Sequence, residues 1–143
     1  MKTIYLVSCV SKKRSSESAA EEIYCSELFR KARRFVIRQM KDGDEWYILS
    51  AKYGLVEPRT PIAPYEVTLN RMSKRERTEW AARVTGELRA RVRPGNAVVF
   101  LAGQRYRELL QDELAQMGCT VSVPMAGLGI GRQLRWLERA SRA

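Results

Sequence analysis

Four short apolar runs, at residues 3–8, 46–51, 97–102 and 120–123, constrain this chain more than any other feature. Each is followed by a segment whose apolar residues recur at helical spacing. The runs are rich in β-branched and aromatic residues, as enclosed strands require. Ala-Val-Val-Phe-Leu-Ala at 97–102 is the most apolar and reads as a strand covered on both faces. Strands alternating with helices imply βαβ units with right-handed crossovers, hence a mainly parallel four-stranded sheet in a three-layer α/β/α sandwich. With 143 residues, 45% of them hydrophobic, the chain is expected to form one α/β domain over 1–143 with a substantial core.

The helical segments follow from spacing and end signals. From about Ser18, the positions Ile23, Leu28, Ala32, Phe35, Val36 and Met40 predict one long helix with Arg30, Lys31, Arg33, Arg34 and Arg38 on its outer face. Ser73 and Glu76 fit a capping box, opening a helix that buries Trp80, Ala81, Val84 and Leu88. After Gly103-Gln104, a third helix turns Tyr106, Leu109, Leu110, Leu114 and Met117 inward and ends at Gly118, where a left-handed cap is expected. Leu134 and Leu137 mark the last helix. Pro58, Pro61 and Pro64 predict an irregular surface loop carrying Tyr65, Glu66, Thr68 and Asn70.

Open α/β sheets keep their sites at the carboxyl ends of the strands. That edge should gather Ser8, Cys9, Lys12 and Lys13 after the first strand, Ser50, Lys52 and Tyr53 after the second, Gln104 and Tyr106 after the third, and the 127–132 turn after the fourth. Gly54 can supply a backbone angle that other residues resist. Gly127, Gly129 and Gly131 followed by Arg132 read as a place where backbone amides and a guanidinium meet an anion at a helix start. A turn that merely needs small residues is the equal alternative. Lys12, Lys13 and Lys52 are candidate phosphate contacts, and a lysine desolvated there can also act as an amine nucleophile. Glu57 and Glu66 are the expected carboxylates of the cleft, with pairing to Arg59 or Arg71 as the alternative. Tyr53, Tyr65 and Tyr106 are placed for stacking on a base, Tyr106 having core filling as its alternative. For Cys9 a small buried hydrophobe is the plainer reading.

Twenty-six Lys and Arg against 16 Asp and Glu give a net charge of +10, which favours a polyanionic partner: nucleic acid first, an acidic membrane surface second. Solubility alone is the bland alternative. Three separated cysteines and no histidine argue against a structural metal site and a disulfide framework. They also leave any proton transfer to carboxylate, Lys, Tyr, Cys or water. No run suits a signal peptide or a transmembrane helix, so a cytoplasmic protein with reduced thiols is expected.

Ser8-Cys9 with the basic residues after it, Leu49-Ser-Ala-Lys-Tyr-Gly-Leu55, Pro64-Tyr65 with Thr68-Leu69, Leu101-Ala-Gly103 with Tyr106, and the stretch 127–136 carry a resemblance. The chain resembles, over nearly its whole length, a bacterial and phage domain family of unknown function. That family is similar at a distance to the peroxide-stress protein YaaA and to domains accompanying tRNA-guanine transglycosylases. The resemblance implies association with nucleic acid and a uracil-DNA-glycosylase-like fold. The Gly-Gln-Asp-Pro-Tyr motif and the distal histidine loop of ordinary uracil-DNA glycosylases are absent, so catalytic roles do not transfer by name.

The reading that follows is a DNA glycosylase of base excision repair, removing a modified pyrimidine such as 5-hydroxymethyluracil, or uracil, from DNA without metal or cofactor. RNA is the other candidate nucleic acid. Ser8, Ser50, Gln104 and Tyr53 would read the base, with Cys9, Tyr65 and Tyr106 completing its pocket. Lys52 or Lys12 would stabilise the departing base anion, and Glu66 or Glu57 the water or the sugar cation. Lys13, Gly127, Gly129, Gly131 and Arg132 would hold phosphates. A non-catalytic nucleic-acid-binding module and an enzyme acting on a free nucleotide or nucleoside are the alternatives.

Overall fold

The computed structural model describes residues 2–8 and 13–142. In chain order the elements are β1 (Thr3–Ser8), β2 (Ser18–Ala19), α1 (Ala20–Ile23), α2 (Glu27–Gln39), β3 (Glu45–Ser50), β4 (Gly54–Val56) and β5 (Pro61–Ile62). They continue with α3 (Lys74–Arg89), β6 (Ala97–Leu101), α4 (Gln104–Arg107), α5 (Gln111–Gln116), β7 (Thr120–Ser122) and α6 (Ile130–Arg142).

The four expected strands form one sheet, in the order β4-β3-β1-β6-β7, with every pairing parallel except β3 with β4. Ile4, Leu6, Ile48, Leu49, Val98 and Phe100 lie fully buried on it. Each such side chain removed from water contributes roughly 1.5–3 kcal/mol before the entropy of ordering is set against it. Helices α2 and α6 pack on each other, α2 also meets β1, and α3 meets β4. From β1 the chain goes to β3 on one side, then crosses to β6 on the other. The strand order therefore reverses between β1 and β6, where open α/β sheets leave a crevice.

The sheet has five strands where four were expected, because Gly54, at φ +75°, turns the chain straight back along β3 as a short antiparallel edge. A second, two-stranded sheet pairs β2 with β5, and Pro61 is tolerated there as part of an edge. Otherwise the proline loop is irregular up to a single 3₁₀ turn at Leu69–Arg71.

Two helices differ from their predicted extent. The first is interrupted at 24–26: Tyr24 is extended and bridges to Lys13, and Ser26 starts α2 by accepting the Phe29 amide at 3.1 Å. Ile23 and Leu28 are five residues apart, a step that does not keep one helical face, and the face α2 buries is set instead by Phe29, Ala32 and Val36. The third divides into α4 and α5 around a turn at 108–110, leaving Leu109 exposed and not inward.

The capping box forms in full, with Ser73 and Glu76 each bonded to the other's backbone amide. Gly118 closes α5 at φ +89°, as a left-handed cap requires. Among the described residues no helix is long and apolar enough to cross a membrane, and no cluster of three or more metal-ligating side chains occurs.

Candidate functional site

At the reversal between β1 and β6 lies a cleft of about 1240 Å³. Three strand exits open into it: Ser8 from β1, residues 102–107 beyond β6, and residues 123–128 beyond β7. The amino ends of α2 and α6 and the loop 66–71 complete its walls. Its floor is apolar, made by Phe29, Phe100, Leu101, Met125 and Leu128, while Lys13, Arg71, Arg105, Glu66, Asn70 and Gln104 stand around it. An apolar floor with convergent polar groups at the mouth suits an aromatic ring system carrying anionic substituents.

Of the residues expected at this edge, Ser8, Lys13, Glu66, Gln104, Tyr106 and Gly127 line the cleft. Ser8 ties two strand exits together, its Oγ accepting the Gly103 amide at 3.2 Å. Lys13 brings its Nζ to 4.5 Å from the centre of the Tyr65 ring and 5.8 Å from that of Tyr24, which directs the ammonium by cation–π attraction. Glu66 and Gln104 are exposed at the rim. Tyr106 is largely core: its ring meets Trp80 edge-on and its hydroxyl accepts the Leu69 amide at 3.4 Å. Gly127 sits at φ +79°. Cys9 and Lys12 lie outside the described residues.

The second strand exit behaves differently from expectation. Ser50 is fully buried and faces other protein groups: its Oγ accepts the Tyr53 amide at 3.0 Å and donates to the Tyr65 hydroxyl at 2.8 Å. The Tyr65 hydroxyl in turn meets that of Tyr24 at 2.5 Å. Tyr53 packs edge-on against the Tyr65 ring and is not among the cleft residues.

Lys52, expected at the cleft, is exposed and outside its lining, its Nζ 5.3 Å from the centre of the Tyr53 ring. The turn is instead a docking joint for α3. Trp80 donates to the Ser50 carbonyl, Arg83 to the carbonyls of Lys52 and Tyr53, and Glu87 accepts the Leu55 amide.

Glu57 also leaves the expected site. Because β4 runs antiparallel, it carries Glu57 back toward the amino end of β3, where the carboxylate pairs with Arg91 at 3.0 Å. Its partner is thus Arg91, and not Arg59 or Arg71, the alternatives the sequence offered. There Tyr47 donates to Glu45 at 2.6 Å and accepts from Arg91 at 3.2 Å. Burial, reinforced by the bond to Glu45, pushes the Tyr47 phenol up. Burial alone would raise the Glu45 carboxyl, but bonds from Tyr47 and Lys2 outweigh it and hold it below its ordinary value. This network joins β3 to the end of α3 and lies at the edge opposite the cleft.

Gly129, Gly131 and Arg132 are exposed at the start of α6, adjacent to the cleft and outside its walls. A side chain added at Gly129 or Gly131 would meet open space, so close packing does not explain either glycine. Arg71 and Arg105 belong to the cleft, although the sequence reading gave Arg71 only an ion-pair role and passed over Arg105. For Arg105 a signal was present in Gln104-Arg-Tyr-Arg107, where basic residues follow the most apolar strand directly; Arg71 carried none.

The architecture defines an α/β domain with a mostly parallel five-stranded sheet and a basic, apolar-floored crevice at its topological switch point. The chain belongs to the family of unknown function DUF6884, whose match spans residues 4–139. No curated protein and no solved structure matches the chain.

Proposed function

We propose that this protein acts on nucleic acid, taking one nucleotide out of the strand into the cleft between β1 and β6. The observation that carries this reading is the juxtaposition in one cavity of an apolar floor with Lys13, Arg71 and Arg105 at its mouth. The floor accepts a base, the cations accept its flanking phosphates, and the net charge of +10 supplies the attraction. Extruding a base costs a few kcal/mol, least for a modified or mispaired one, which such a cavity can offset.

The reaction assigned is hydrolysis of the N-glycosidic bond of a modified pyrimidine in DNA, such as 5-hydroxymethyluracil or uracil. Glu66, which lines the cleft together with Glu27, takes the role of orienting water or stabilising the sugar cation. Right-handed crossovers in this strand order favour helices on both sheet faces, a three-layer arrangement like that of uracil-DNA glycosylases, and kinship to YaaA-type proteins fits the same picture. A protein of this kind would work on the DNA in the cytoplasm.

A second reading, a non-catalytic nucleic-acid-binding module, is favoured by one observation. The hydroxyls of Ser50, Tyr65 and Tyr24 are bonded to one another, and the turn beside them is spent on docking α3.

Duplexes carrying uracil or 5-hydroxymethyluracil, assayed for abasic sites, separate the two. Base release that falls at least tenfold in Glu66→Gln, with DNA affinity retained, supports the glycosylase. Tight binding without release from any modified duplex leaves the binding module standing.

A further inference from the structure

The cleft accounts for little of the chain's charge; helices α2 and α6 hold most of it. On α2 five cations stand against Glu27, and on α6 four stand against Glu138, so these two packed helices carry +7 of the chain's +10. Internal contacts use some of those cations. Lys31 bridges to Glu138 at 2.6 Å, Arg33 to Glu21 at 2.9 Å, Arg142 to Glu138 at 3.2 Å, and Arg38 donates to the Ser141 carbonyl at 2.6 Å.

Arg30, Arg34, Arg132, Arg135 and Arg139 are different. All are exposed, and none of their side chains has a hydrogen bond or ion pair with a described residue. Arg30 and Arg34 are four residues apart, as are Arg135 and Arg139, with Arg132 one turn before them. Like charges at this spacing destabilise a helix by roughly 0.2–0.5 kcal/mol per pair. Solubility does not require charges of one sign to be stacked so that they repel. A ligand with closely spaced negative charges converts that repulsion into binding.

We propose that the outer face of the α2–α6 pair is a phosphate-tracking surface for duplex nucleic acid, leading the backbone to the mouth of the cleft; the partner class rests on the reading given above. Continuity supports the assignment, since both helices open at the cleft: Ser26 to Phe29 of the α2 start and Ile130 of α6 are among its walls. Thirteen residues make a helix about 20 Å long, enough to run beside roughly six base-pair steps. A lipid surface fits less well. The large hydrophobes exposed on this pair are single isoleucines, Ile37 and Ile130, not a continuous apolar face.

The test is the salt dependence of binding to a short fluorescent DNA duplex, followed by anisotropy between about 50 and 200 mM salt. The triple change Arg34→Ser, Arg135→Ser, Arg139→Ser should flatten the slope of log affinity against log salt by about 2–3, because each lost phosphate contact removes about 0.9. The control triple Arg59→Ser, Lys74→Ser, Arg89→Ser removes the same charge elsewhere and should leave the slope nearly unchanged. The charge-keeping triple Arg34→Lys, Arg135→Lys, Arg139→Lys should keep the wild-type slope.

Equal losses in the two triples, or no loss in the helix triple, overturn the proposal while leaving nucleic-acid binding by the wild-type protein intact. Wild-type protein that shows no salt-dependent duplex binding defeats this surface and the reading it rests on together. Capture by phosphatidylserine vesicles that the helix triple abolishes, without duplex binding, reassigns the face to a membrane and likewise overturns the proposal.

Discussion

The Ser50 hydroxyl donates to the Tyr65 hydroxyl across 2.8 Å, and Ser50 has no exposure to solvent. The pair joins the end of β3 to the proline loop, so its first role is to hold that loop against the sheet. Replacing Ser50 by Ala removes a donor to Tyr65 and the acceptor of the Tyr53 amide at a dry site, which should destabilise the fold by about 1–3 kcal/mol. Urea unfolding should show the loss as a lower midpoint with an unchanged slope, and DNA affinity at low salt should stay within about twofold. A large loss of affinity in a variant of near-normal stability would return Ser50 to the base pocket.

Gly54 begins β4 at φ +75°, and a Cβ built there lies 2.6 Å from the Glu87 carboxylate, itself the acceptor of the Leu55 amide. Two penalties therefore act on Gly54→Ala, one from the backbone and one from the displaced carboxylate. The backbone part is about 1–2 kcal/mol. Made in a Glu87→Ala background, Gly54→Ala should still destabilise by about that amount, since the contact is gone but the angle is not. Denaturant midpoints of the four-member cycle separate the parts, and additivity across the cycle would show that Glu87 never felt the methyl group.

Much of this was written plainly in the sequence. Strand positions, the Ser73–Glu76 cap and the Gly118 cap were legible because each depends on residues within a few positions of one another. Ser8, Lys13, Gln104 and Tyr106 line the cleft because they follow strands that border the switch point, and Glu66 because the proline loop lies across it. Ser50, Lys52 and Glu57 were misplaced because their surroundings come from far along the chain. Trp80, Arg83 and Glu87 claim the turn after β3, and the reversal at Gly54 carries Glu57 to the other edge. Nothing within the Ser-Ala-Lys-Tyr-Gly-Leu segment announces a helix thirty residues away.

Asp44 gives a pH prediction of definite sign. Its carboxylate accepts the amides of Thr3 at 2.9 Å and Lys41 at 2.9 Å, and those bonds hold its pKa below the ordinary value. A depressed folded-state pKa means a contribution fully present above the unfolded value, near pH 4, and lost as pH falls through the lower folded value. Asp44→Ala should be less stable than the wild type at pH 7, and the difference should shrink steadily below about pH 4. Thermal melts of both proteins from neutral to acid pH measure it, and a gap that persists unchanged at the lowest pH would remove the carboxylate's charge from the explanation.

Lys13 and Tyr65 connect the hydroxyl chain to the cleft, because the ring that bonds Ser50 through its oxygen also lies under the Lys13 ammonium. The two functions of Tyr65 use different parts of the side chain and are separable by substitution. Tyr65→Phe keeps the π face and loses the oxygen, so it should lower stability by about 1–2 kcal/mol while leaving the contribution of Lys13 to DNA binding in place. Tyr65→Leu loses both, and should add a further drop in affinity and flatten the salt slope by up to about one phosphate contact, as Lys13→Gln does. Combining Tyr65→Leu with Lys13→Gln should then weaken binding no more than Lys13→Gln alone. Additive losses in that double variant would mean that the ring contacts the nucleic acid itself and does not act by aiming the lysine.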